Sequence, residues 1–185
     1  MTRTKSDYVS GFVKIFSTSG RLKSEPRKGW ISKLSISDPE SVSDHCFRTA
    51  LMTMILSDSK GLDTGKAVKL ALLHDLPESL VGDATPEERH GEAKIELETA
   101  AMKRLLADLP PDLKREYQEL WYDFIGCRSP EAELVRQVDK LEMALQAHEY
   151  VKKGHDPESG MEFIESTRKQ ITDDGLLKIL KKIEF

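Results

Sequence analysis

The sequence predicts an all-α protein folded as a single compact helical domain over residues 1–185, and three observations carry that prediction. Apolar residues recur at helical spacings of three and four along most of the chain, while two-residue alternation is nearly absent. Ser, Thr, Asp and Pro stand where periodic segments begin, as capping requires. The 185 residues fall within the size of one domain, and no repeat, Ser/Gly linker or low-complexity tract divides them.

The first helix is expected over about 7–16, with Val9, Phe12, Val13 and Phe16 as its apolar positions. Residues 17–40 are rich in Gly, Ser, Pro and basic side chains and lack a period, so they read as a long loop of the kind that often carries function. A second helix starts at Ser41, where SVSD offers a capping box with Asp44, and runs to about Ser57. Phe47, Ala50, Leu51, Met54 and Ile55 form a stripe on it, with Met52 and Leu56 opposite, so the helix is expected to be central. A third opens near Asp63 or Thr64 and carries AVKLALLHDL; Pro77 disfavours its continuation. The string Thr85-Pro86-Glu87-Glu88 reads as another helix start, reaching about Leu109. Helices over 112–125, from Ser129-Pro130 to about Lys153, over 160–171 and over 174–183 complete the expected order.

Composition excludes several functions. There are 28 basic against 32 acidic residues, a net charge of -4, which gives no concentrated positive field for a nucleic acid polymer. Apolar runs of a few residues are far short of the roughly 20 that span a bilayer, so no membrane partner is expected. The opening MTRTKSDYVS has no apolar signal segment, and Cys46 and Cys127 are isolated, as in reduced cytoplasmic proteins.

His74 and Asp75 end an apolar helix, and both follow faces otherwise made for the core: Leu70 and Ala71 lie behind His74, Ala71 and Leu72 behind Asp75. A carboxylate there needs a partner, because burying an unpaired charge costs several kcal/mol. A divalent cation is one such partner; a structural helix-terminal pair is the alternative. The same reasoning applies to His45 on its apolar helix and to Asp139, which stands with Met143, Gln146 and Tyr150 at i+4, i+7 and i+11. A second pair, His155-Asp156, lies between Gly154 and Pro157 without an apolar helix before it and is expected in a surface loop.

His45, His74-Asp75 and Asp139, in that order on successive helices, resemble the H…HD…D signature of HD-domain metal-dependent phosphohydrolases. The strings ESVSDH, LLHDLPESLVGDATP and DKLEMALQAHEY are similar to those of the HD-domain 5′-deoxynucleotidase family, over about residues 22–150. Residues 154–185 are then a helical extension. The resemblance implies one divalent metal held by His45, His74, Asp75 and Asp139, with mixed nitrogen and oxygen ligation suited to Mn²⁺, Co²⁺, Fe²⁺, Ni²⁺ or Zn²⁺. It also implies two proton-managing acids: Glu78 at the attacking water and Asp83 at the leaving 5′ oxygen, or the reverse. In the family an arginine followed by tryptophan binds phosphate and packs near the sugar. Here Gly29 precedes Trp30, which leaves Arg27 and then Lys28 as phosphate candidates.

The implied activity is hydrolysis of nucleoside 5′-monophosphates, preferably deoxy since the Trp30 indole near C2′ would obstruct a ribose hydroxyl, by a homodimer. A triphosphate or cyclic-diester substrate would require more cations or a second metal, and neither is found in the motif strings. A metal-bound interaction domain without catalysis would have no use for Glu78 and Asp83.

Overall fold

The structure is a computed structural model that describes residues 5–85, 87–88 and 90–183. Its regular elements, among those residues, are α1 (Lys5–Ser19), a 3₁₀ turn (Gly20–Lys23), α2 (Lys28–Leu34), α3 (Val42–Lys60), α4 (Thr64–Leu73), α5 (Glu78–Val81), α6 (Gly91–Leu105), α7 (Pro111–Gly126), α8 (Pro130–Lys152), α9 (Pro157–Gln170) and α10 (Asp174–Ile183). The all-α expectation holds; no strand occurs among the described residues.

Helix α8 is the axis of the packing. Ser129 caps it by accepting from the Ala132 N–H, and Pro130 occupies the first turn, where a missing donor costs nothing. Its residues then face three ways. Ala132 and Val135 meet Leu70 and Ala71 of α4. Leu134, Val138 and Leu141 meet Ile164 of α9 and Leu176 of α10. Ala147 and Tyr150 meet Trp30 and Leu34 of α2. A separate cluster around Leu22, Val42, Met102 and Trp121 joins the 3₁₀ turn, α3, α6 and α7.

Four expectations are corrected. Residues 17–40 are not a structureless loop, since they contain the 3₁₀ turn and α2, the latter buried through Trp30 and Leu34. Helix α6 begins at Gly91 rather than Thr85 and ends at Leu105 rather than Leu109. Thr85 and Glu88 still exchange side-chain and backbone hydrogen bonds, but they close a turn; Pro86, the expected first helical residue, lies outside the described residues. On α1, Val9, Val13 and Phe16 are exposed while Phe12 and Ile15 pack inward.

The largest correction concerns α3. Its cap is as expected: the Ser41 hydroxyl accepts from the Asp44 N–H, and Asp44 accepts from the Ser41 N–H. Its apolar stripe, however, points outward, with Phe47 72% and Ile55 57% exposed and Leu51 and Met54 also open. The fully buried row is His45, Thr49, Thr53 and Ser57, spaced by four, and it lies on the side that packs on α4 and α8. Small hydroxyl side chains fill that row, and Met52 and Leu56 beside it pack against the cluster of α8, α9 and α10.

Two pairings outside the helices locate the site. The segment before α2 pairs with the segment before α3: Arg27 N–H donates to Glu40 O at 3.1 Å and Val42 N–H to Glu25 O at 2.9 Å. That holds Arg27 beside the first turn of α3. Gly82 ends α5 at φ 74°, a conformation open to glycine, and a Cβ there would stand 3.0 Å from Glu25 Oε1. The same oxygen accepts the Asp83 N–H at 2.9 Å, so the turn delivers Asp83 to the segment holding Arg27.

Candidate active site

Three helix positions bring the expected ligand residues together. His45 sits in the capped first turn of α3, His74 and Asp75 follow the end of α4, and Asp139 projects from the middle of α8. His45 Nε2 lies 3.3 Å from His74 Nε2, 3.2 Å from Asp139 Oδ1 and 3.6 Å from Asp75 Oδ2; His74 Nε2 is 3.2 Å from the same Asp75 oxygen.

The other ring nitrogens are committed elsewhere. His74 Nδ1 is 2.6 Å from the Ala71 carbonyl and His45 Nδ1 is 2.5 Å from Glu142 Oε2. Both partners are acceptors, so each Nδ1 carries a proton and each Nε2 faces the shared point. Two imidazole nitrogens each about 2.1 Å from one ion stand about 3.0–3.4 Å apart for angles near 90–110°. The observed separation matches that bite, so the His/Asp cluster is able to hold a metal ion. His45, His74 and Asp139 offer donor atoms all within 4.8 Å of one another.

Charge in this region is unevenly balanced. Burial opposes the ionised form of Asp75, yet His74, Arg27 and His45 outweigh it and hold the carboxyl well below the usual range. Asp139 is likewise held low, where Lys140, His45 and His74 overcome burial. Glu78 goes the other way: burial, reinforced by Asp75 and Asp83, pushes it well above the usual carboxyl range. Its Oε2 is buried and has no hydrogen-bond partner. At His45, burial and Arg27 disfavour the imidazolium, but Asp139 and Glu142 prevail and raise it to about 9.

Above the cluster lies a cavity of about 440 Å³ that exposes Arg27, Trp30, Asp75, Glu78, Asp83 and Asp139. Arg27 Nη1 is 3.2 Å from Asp75 Oδ2 and 3.9 Å from Asp83 Oδ1. Lys28 is placed differently. It gives its backbone N–H to Asp83 Oδ2 at 2.6 Å, while its ammonium turns to Glu88 and does not line the cavity. Trp30 is 1% exposed, fixed by Nε1–H donation to Glu40 Oε1 at 2.9 Å and by the rings of Tyr150 and Phe163 at 5.3 and 4.4 Å, so little of it reaches the cavity it lines.

Sequence reasoning missed the far wall, where Phe163, Ser166 and Gln170 of α9 and the cations Lys33, Lys94 and Lys140 face the same space. It also missed Glu142, which the string DKLE holds three residues past Asp139. A signal existed, since a helix places i and i+3 on one face. His155 lies in the turn before α9, its ring 5.7 Å from Tyr150, where Asp156 caps the helix. Cys46 is buried in the apolar cluster, and burial pushes its thiol up.

The sequence model of the HD domain matches residues 19–180. The chain belongs to the HD-domain family. It is 39% identical over 166 residues to the 5′-deoxynucleotidase HDDC2 of Homo sapiens, covering 89% of this chain and 80% of that one. It is 40% identical over 171 residues to the protein of the same name from Dictyostelium discoideum, covering 86% and 90%. A crystal structure of a Pyrococcus horikoshii protein superposes with a TM-score of 0.76 at 32% identity, over 92% of this chain and 97% of that one.

Glu40 gives the site a pH signature. Burial and Glu142 raise its carboxyl from 4.5 to about 7, against the opposing Trp30 hydrogen bond. A raised carboxyl contributes stability that is complete below 4.5 and lost as pH rises through about 7. In chelator-treated protein, Glu40→Gln keeps an acceptor for Trp30 and should flatten the fall in thermal midpoint between about pH 5 and 8. Parallel curves for the two proteins refute this account.

Proposed function

We propose that the protein is a metal-dependent phosphohydrolase converting (deoxy)nucleoside 5′-monophosphates to nucleoside and phosphate. The observation that carries the reading is the convergence of His45, His74, Asp75 and Asp139 beneath a cavity that also holds spare acids and a guanidinium. The 5′-deoxynucleotidase relatives, at 39–40% identity over most of both chains, supply the substrate class. In this reading residues 1–185 act as a single domain, with the metal core in about 22–150, and the protein works in the cytoplasm. Its two cysteines are free thiols, and no described helix is long and apolar enough to cross a membrane.

His45, His74, Asp75 and Asp139 hold one divalent cation, of which Mn²⁺, Co²⁺, Fe²⁺, Ni²⁺ and Zn²⁺ all suit the donor set. Such an ion supplies positive charge to the phosphoryl oxygens and acidity to a water. Arg27 binds the phosphate, since its guanidinium enters the cavity and the Lys28 ammonium does not. Glu78, with a buried oxygen free of hydrogen bonds, orients the water, and would take its proton once a divalent cation offsets the charge of Asp75 and Asp83 that otherwise favours the neutral acid. Asp83, held by Lys28 and Glu25 on the side of Arg27, serves the leaving 5′ oxygen. The immobilised Trp30 rejects a ribose hydroxyl.

The molecule acts as a homodimer. The open apolar stripe of Phe47, Leu51, Met54 and Ile55 on α3 supports an isologous interface there.

Phosphate release from a panel of ribo- and deoxyribonucleotides with Mn²⁺ or Co²⁺ tests the activity. Deoxy monophosphates should turn over fastest, and His45→Ala, His74→Ala, Asp75→Ala and Asp139→Ala should each lose metal and turnover together. Triphosphate cleavage at the same rate refutes the substrate class, and a fully metallated variant removes its residue from the ligand set.

The two acids should separate from the ligands. Glu78→Gln and Asp83→Asn are expected to keep metal and nucleotide binding but to lose roughly 10²-fold or more in kcat. Normal turnover in either variant ends its catalytic assignment.

Dimer formation is read by sedimentation. The wild type should run at twice the chain mass and Phe47→Asp/Ile55→Asp, with unchanged circular dichroism, at once that mass. A monomeric wild type refutes the interface.

A further inference from the structure

Glu142 is fully buried on α8, one turn beyond Asp139, and has no path to the cavity. A carboxylate in that position costs several kcal/mol unless its oxygens are satisfied. Both are. Oε2 faces His45 Nδ1 at 2.5 Å, and Oε1 accepts from Arg48 at 2.8 Å from Nε and 2.7 Å from Nη2. Arg48 is in turn held by Glu149 at 2.8 Å and Gln146 at 2.5 Å, so α8 presents Glu142, Gln146 and Glu149 along one edge against His45 and Arg48 of α3. Arg48 is one turn past His45, which makes the α3–α8 contact a closed polar clamp.

We propose that Glu142, held by Arg48, is a positioning residue that fixes the ring and tautomer of His45 for metal binding. This rests on the metal reading above. The argument is one of donors and acceptors. A carboxylate oxygen only accepts, so His45 keeps a proton on Nδ1, and Nε2 is the nitrogen left to face His74 and Asp139 and to give up its proton to a metal. Arg48 only donates, so it holds Oε1 and leaves Oε2 to the histidine.

The clamp makes an unusual demand on Glu142→Gln. The isosteric amide has one acceptor, and Arg48 claims it, which turns the amide N–H₂ toward His45 Nδ1. That nitrogen must then accept, the proton moves to Nε2, and Nε2 can no longer bind metal. Removing the guanidinium as well, in Glu142→Gln/Arg48→Met, frees the amide to rotate and present its oxygen to Nδ1.

Co²⁺ titration followed by visible absorption and calorimetry tests this without turnover. Glu142→Gln should bind Co²⁺ about 10–100-fold more weakly than wild type, the range for removing such a partner, with its circular dichroism retained. The double variant should recover affinity over the single one, which a purely structural loss would not produce. Equal affinity in wild type and Glu142→Gln overturns the proposal, as does a double variant no tighter than the single. Where Glu142→Gln fails to fold, Glu142→Asp keeps the charge and withdraws the oxygen, and unchanged Co²⁺ affinity in it is also refuting. A wild type that binds no Co²⁺, Mn²⁺ or Zn²⁺ overturns the metal reading itself and the proposal with it.

Discussion

Asp75, Glu78, Asp83 and Asp139 meet at one cavity floor with a single guanidinium, Arg27, between them, and the surrounding structure is answerable to that crowding of negative charge. Carboxylates this close cannot all ionise in a low-dielectric region unless something positive joins them. The protein divides the load. His74, Arg27 and His45 hold Asp75 ionised, Lys140 and the same two histidines hold Asp139 ionised, and Glu78 is left unpaired and pushed toward its neutral form. A fold concerned only with stability would replace such a cluster by apolar residues. Its persistence is intelligible where a divalent cation and a phosphate, opposite in charge, are to be received together.

The scaffold delivers these groups through helix ends and one rigid crossing. A capped first turn fixes His45, the termination of α4 before Pro77 turns Asp75 into the same space, and α8 is held on three sides so that Asp139 cannot shift. The short pairing of residues 25–27 with 40–42 carries Arg27 in from an otherwise irregular segment. On the His45 side of α3, small threonine and serine residues flanked by Met52 and Leu56 face α4 and α8, while Phe47, Leu51, Met54 and Ile55 stand on the outer side.

That inversion explains what the sequence could and could not disclose. Helical periodicity identified α3 and α8 and placed His74-Asp75 at a helix end, because those signals depend on spacing and capping alone. The buried face of α3 was not legible, since a hydrophobic period assumes that the apolar side faces inward, whereas here His45, Thr49, Thr53 and Ser57 do. Helix α2 has seven residues, too few to show a period, and depends on Trp30 and Leu34 reaching α8. The capping box at Thr85 has the pattern of a helix start, but its two hydrogen bonds are satisfied by an isolated turn. Glu142 exerts its chemistry on another side chain and so leaves no motif of its own.

The cations around the cavity bear on which phosphate compound it receives. Lys33, Lys94 and Lys140 line it with Arg27, more positive groups than the motif strings contain. Each, however, already faces an acid: Lys33 with Glu87 at 3.3 Å, Lys94 with Glu98 at 3.4 Å, Lys140 with Asp139 at 2.9 Å, and Arg27 with Asp75. A triphosphate brings several negative charges and must find cations not already neutralised, so this lining serves it poorly. A monophosphate asks for much less. In the proposed reading, one guanidinium reoriented from Asp75, beside one divalent ion, would meet the charge of a single phosphoryl group, and the wall of Trp30 and Phe163 would then be left for the uncharged sugar and base.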